Sequence, residues 1–109
     1  MQVKDLKQVK GFVFVNEGNL EANIDDVFVG DLLSWVMASA NINSAWITVQ
    51  AHINTVAVSL LKEFSCLIIC DNADIEQETI DKCIEENFCL IRTELNAYQC
   101  CKEFYKLGL

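Results

Sequence analysis

The stretch AWITVQAHINTVAVSLL, residues 45–61, changes its hydrophobic period halfway along, and that change decides the fold. Side chains of an extended chain alternate between faces, so Trp46, Thr48 and Gln50 project to one side and Ile47 and Val49 to the other. From Ile53 onward the apolar residues Ile53, Val56, Ala57, Leu60, Leu61 and Phe64 fall three and four apart, the spacing that lines one side of an α-helix. A strand therefore runs straight into a helix. The polar junction between them, Gln50, Ala51, His52 and Asn54, lies at the carboxyl end of the strand, where open α/β sheets bind their ligands.

The same unit repeats on both sides. Downstream, CLIIC at residues 66–70 is apolar without alternation, as expected for a strand covered on both faces. Asp71, Asn72 and Ala73 form the next junction, and Asp74 with Gln77 predicts a capping box. The helix it opens should bury Ile75 or Thr79, then Ile80, Cys83, Ile84 and Asn87 or Phe88. Cys89 to Arg92 reads as the last strand, with Thr93 as N-cap of a closing helix carrying Leu95, Tyr98, Cys101, Phe104 or Tyr105 and Leu107. Upstream, Val3, Leu6 and Val9 predict a short opening helix stopped at Gly11, and FVFV at residues 12–15 predicts a strand. After a loop over residues 16–23, Ile24 and Val27 to Val29 form another strand. The chain then turns at Gly30 and Asp31 into a helix holding Leu32, Leu33, Trp35, Val36 and Met37, with Asp31 expected to accept hydrogen bonds from its first turn. Strands alternating with helices of about a dozen residues predict one small α/β domain over residues 1–109. Its mostly parallel sheet is flanked by helices in a Rossmann-like three-layer arrangement.

Composition limits the partners. Sixteen acidic residues against eight Lys and Arg leave a net charge of −8, which repels phosphodiester backbones and anionic lipid, so neither nucleic acid nor membrane is an expected partner. The opening MQVKDLKQVK is polar and charged, and no apolar run approaches the roughly 18 residues that span a bilayer; a cytoplasmic protein is expected. The six cysteines, Cys66, Cys70, Cys83, Cys89, Cys100 and Cys101, sit inside apolar periodic segments as small hydrophobes, without the paired Cys-x2-Cys spacing of a structural zinc site or iron–sulfur cluster. No cofactor and no metal is expected.

Catalytic motifs are missing from the pattern. There is no phosphate loop and no G-x-G-x-x-G turn, and Gly11, Gly18, Gly30 and Gly108 stand isolated. A receiver-type phosphoacceptor fails because Asp25 and Asp26 precede their strand and the last strand ends in Arg92 and Thr93 without a lysine. Three polar junctions remain as a candidate ligand site: Gly30, Asp31 and Ser34 at the first, Thr48, Gln50, His52 and Asn54 at the second, Asp71 and Asn72 at the third. Asp31, Gln50 and Asn54 would hydrogen-bond a ligand, with His52 as donor or charge sensor. Backbone amides at the helix starts near Asp31, His52 or Asp74 would cradle a nucleotide or other phosphorylated metabolite. The alternatives are a small enzyme using His52 with Asp31 or Asp71 as an acid/base pair, and an interaction module whose polar groups only cap helices. Trp35 and Met37 lie on neighbouring sides of one helix and cannot both face the sheet, so either an apolar strip is left for a second copy of the chain, giving a homodimer, or both are buried elsewhere within the monomer.

VGDLLSWVMA at residues 29–38, AWITVQAHINTVAVSLL at 45–61, CLIIC followed by Asp71, and the closing NAYQCCKEFYKLG together resemble the DRTGG domain family, in particular its stand-alone members. Members of that family are similar to the amino-terminal domain of the kinase/phosphorylase that acts on the histidine-containing phosphocarrier protein, and occur as regulatory inserts beside CBS modules and in phosphotransacetylases. The resemblance implies a small α/β regulatory domain, often dimeric, that carries no catalytic residues of its own and meets a small ligand or a regulatory protein partner.

Overall fold

A computed structural model describes all residues, 1–109. The strands are β1 (Val13–Asn16), β2 (Asp26–Val29), β3 (Ser44–Thr48), β4 (Cys66–Ile69) and β5 (Cys89–Arg92); the helices are α1 (Leu33–Ser39), α2 (Ile53–Leu61), α3 (Gln77–Glu85) and α4 (Ala97–Lys106). They form one five-stranded sheet in the order β1-β5-β4-β3-β2. β2, β3, β4 and β5 run parallel, and β1 pairs antiparallel with β5 at the edge.

Sequential neighbours in a parallel sheet all step in one direction, and right-handed crossovers then place every connecting helix on the same face. Accordingly Val36 and Ala40 of the α1 region, Val56 of α2 and Cys83 of α3 pack with Trp46, Leu67, Ile69 and Leu90 on one face. The opposite face packs Ala45, Ile47, Cys66, Ile68, Cys89 and Ile91 against Val3, Leu6, Val9 and Phe12 from the amino-terminal segment and Cys100 and Phe104 from α4. The architecture is thus the expected three layers. Trp46 and Ile47 point to opposite faces, as alternation requires, and β3 and β4 are buried throughout.

Several local expectations are corrected. The opening helix forms as expected over Val3–Gln8 but as a 3-10 helix, with the Gln2 amide donating to Asp5 Oδ2 at 2.8 Å. Leu32, not Asp31, occupies the N-cap of α1 and makes no side-chain cap bond. Asp74 and Gln77 form no capping box, because Asp74 accepts from Arg92 Nη2 at 3.2 Å and Glu76 precedes α3. Asn96, with Gln99 reciprocating, caps α4 in place of Thr93, whose hydroxyl accepts from the Leu95 amide at 3.1 Å. The faces of the helices also differ. α2 buries Thr55, Val56 and Ser59, and leaves Ala57 and Leu61 exposed. Small residues let its backbone approach the sheet closely, and the Ser59 hydroxyl satisfies itself on the Thr55 carbonyl at 2.9 Å. Ile84 and Tyr98 are likewise exposed, while Thr79, Cys83, Cys100 and Phe104 are covered.

Candidate functional site

Because β2 to β5 are parallel, their carboxyl ends share one rim, and the antiparallel β1 adds its amino-terminal end to the same rim. All three predicted junctions therefore lie along one edge of the sheet. They do not converge on one cavity.

At the first and second junctions the polar groups satisfy one another. The buried Thr48 hydroxyl donates to Asp31 Oδ1 at 2.7 Å, the Val49 amide donates to the same oxygen at 3.1 Å, and the Gln50 amide donates to Thr48 Oγ1 at 3.1 Å. Asp31 thus ties the end of β2 to the end of β3. Gly30 is held from both sides: its amide donates to the Ile47 carbonyl at 3.2 Å, and its carbonyl accepts from Trp46 Nε1 at 2.8 Å. A Cβ at Gly30 would also press on the Phe28 ring at 3.2 Å. Ser34 is exposed on α1.

His52 caps α2, with Nδ1 accepting from the Asn54 amide at 3.3 Å. The Asn54 side chain is exposed. No ion pair or hydrogen bond joins His52 to Asp31 or Asp71, the two carboxylates that an acid/base pair would require. No three His, Cys, Asp and Glu side chains gather as metal ligands.

The third junction is the one that opens on a cavity. Asp71 and Asn72 are both in the left-handed region, at φ 59° and 53°, a conformation that Asp and Asn tolerate better than other side-chain-bearing residues. This turn directs the Asp71 amide to the Leu95 carbonyl at 2.8 Å and the Asn72 amide to the Thr93 carbonyl at 2.9 Å, so the segments following β4 and β5 stay joined past the ends of the strands. Beside that joint lies a cavity of about 440 Å³ lined by Gly11, Val13, Asn72, Arg92, Thr93, Glu94 and Leu95. Of the predicted site residues only Asn72 lines it. The rest of the lining comes from the end of β5 and from β1, which the β-α pattern does not place. Arg92, the one charge in the strand CLIR, is the signal in the sequence that points there. Its Nη2 donates to the Asn72 carbonyl at 3.1 Å and to Asp74 at 3.2 Å; its Nε is buried without a partner.

The thiols are set by burial. Cys70, just behind Asp71, is pushed up to about 12 by burial first, then by the Asp71 carboxylate that accepts its S–H at 3.1 Å and by the charges of Asp71, Cys100 and Asp31. Burial first also pushes Cys83 and Cys100 up to about 12. Unfolding returns these thiols to their ordinary value of 9.0, so between those limits the unfolded chain sheds protons that the native chain keeps. Stability is fully present below pH 9 and falls as pH rises toward 12. Urea midpoints at neutral pH and at about pH 10.5 check this, the alkaline midpoint being the lower. Ellman titration at neutral pH should find the half-exposed Cys101 the only readily reactive thiol of the native chain.

Compared with known families and curated proteins, the chain matches no family model and no curated protein.

Proposed function

We propose that the chain is a non-enzymatic cytoplasmic regulatory domain of the DRTGG kind, binding a small ligand at the carboxyl rim of its sheet. The observation that carries this reading is the cavity among the turn after β4, the end of β5 and the start of β1, with the Arg92 guanidinium and the left-handed Asn72 at its wall. The central junction is the weaker place for a ligand, since Asp31 Oδ1, Thr48 and His52 Nδ1 already have partners inside the protein.

Amide spectra of the labelled protein, titrated with a mixed panel of neutral, anionic and zwitterionic metabolites, test the reading. Shifts should cluster at Gly11, Asn72 and residues 92–95, and Arg92→Ala should remove them. Shifts centred instead on Gln50, His52 and Asn54, or none with any compound, would overturn it.

One further observation favours self-association. Trp35 and its neighbour Leu32 are 61% and 67% exposed at α1, whereas Met37 is half-buried. An indole left in water is a surface that a second copy would cover with a large gain in buried apolar area. Sedimentation equilibrium is expected to report a homodimer that Trp35→Glu converts to a folded monomer with the circular-dichroism spectrum of the parent; a monomeric parent chain at high concentration removes this reading.

A further inference from the structure

The charges around the cavity restrict what it can hold. Arg92 is the one cation among the lining residues, and Glu94, two positions further on, is an anion that is not paired with it. Asp74 shares the guanidinium, whereas the Asp71 carboxylate is taken up by the Cys70 thiol. The Arg92–Asp74 pair is exposed, with Asp74 wholly in solvent, so it is a screened contact that a ligand carboxylate can displace or join. Only Nη2 of the guanidinium is occupied, leaving Nη1 without a partner in the protein. Val13, the register partner of Arg92, and Leu95 supply apolar wall, and Thr93 and Asn72 supply a hydroxyl and an amide.

One cation set beside Glu94 and already shared with Asp74 is a poor receiver for a phosphate, whose two negative charges would meet Glu94 and Asp74 as well as Arg92. It suits a ligand whose own charges are split. We propose that the cavity binds a small zwitterion, a free amino acid with an apolar side chain, its carboxylate on Arg92, its ammonium on Glu94 and its side chain against Val13 and Leu95. This rests on the ligand-binding reading above and narrows its ligand from phosphorylated metabolites to amino acids.

Calorimetry on the whole chain with L-leucine, N-acetyl-L-leucine, L-leucinamide, inorganic phosphate and adenosine monophosphate tests the assignment. Leucine should bind, and blocking either its ammonium or its carboxylate should weaken binding about tenfold or more, the usual effect of losing a charge-assisted hydrogen bond. Glu94→Gln should weaken leucine by a similar factor and leave N-acetyl-leucine unchanged; Arg92→Gln should weaken leucine and leave leucinamide unchanged. Both side chains reach the surface, and unchanged melting of the variants excludes misfolding as the cause. Phosphate or the nucleotide binding more tightly than leucine, and more tightly still in Glu94→Gln, would overturn the zwitterion while leaving a ligand site in place. Absence of binding by leucine overturns the zwitterion as well, and only silence of the cavity amides toward the whole mixed panel would bring down the ligand site itself.

Discussion

Replacing Trp46 with alanine should lower the unfolding free energy by about 3–5 kcal/mol, the cost of emptying a large aromatic site in a packed core. The indole is completely buried on β3, an interior strand of the sheet, and meets the Phe64 ring edge-on, with centroids 5.7 Å apart. Its Nε1–H also satisfies the Gly30 carbonyl at the end of β2, so the truncation opens a cavity and orphans an acceptor at once. For a domain of this size each kcal/mol moves the melting temperature by roughly 4–8 °C, so a drop of at least about 12 °C is expected by calorimetry. Trp46→Phe separates the two contributions: it keeps most of the ring, loses the hydrogen bond, and should cost about 1–2 kcal/mol. A drop for Trp46→Ala under about 1 kcal/mol would mean that the helical face of the sheet repacks freely, against the close packing of β3 between β2 and β4. The same substitution should reach the rim, because Gly30 leads directly into Asp31, whose carboxylate joins β2 to β3.

Trp46 also marks what the sequence makes legible. Alternation at Trp46 and Ile47, the unbroken apolar runs CLII and CLI, and a change of period after each polar junction are enough for a mostly parallel sheet in three layers. These signals follow from burial on both faces, which composition records directly. Helix faces are less legible, since α2 turns Thr55 and Ser59 inward and Leu61 outward: close approach to a sheet selects small residues, and a hydropathy pattern counts them as polar. Asp31 escapes the local pattern for a related reason. A short acceptor after a strand serves the next helix or the neighbouring strand equally well, and which of them wins depends on the register of β2 against β3, a non-local fact. The rim was legible and the cavity on it was not. Its wall requires β1 beside β5, a pairing between segments almost eighty residues apart in the chain that no local pattern announces.

That pairing depends on a close approach which Gly18 alone permits, and Gly18→Ala should cost about 2–4 kcal/mol. The residue lies in the loop that leaves β1, at φ 59°, with its Cα against the backbone that opens β5. A Cβ there would collide with the Cys89 amide nitrogen, and would sit 2.7 Å from the Phe88 carbonyl carbon and 3.0 Å from the Asn87 oxygen. These are main-chain atoms of a strand start, so neither side can yield without moving β5. Overpacking of this kind costs about 1–3 kcal/mol, and the left-handed conformation adds roughly 1 more for a residue with a Cβ. Gly108 is the control: at φ 97° with nothing within 4 Å of an added methyl group, its alanine variant should lose only the conformational part, about 1 kcal/mol. Urea unfolding of the two variants measures the difference, and equal losses would show that the loop packs against β5 too loosely to matter. The consequence extends to the cavity. Asn16, two residues earlier, donates through Nδ2 to the Phe88 carbonyl at 2.8 Å and the Cys83 carbonyl at 3.2 Å, so this loop and the end of β1 are fixed to β5 together. If Gly18→Ala pries them apart, Val13 withdraws from Arg92 at the far end of the same strand, and amide exchange across β1 should accelerate together with any loss of ligand affinity.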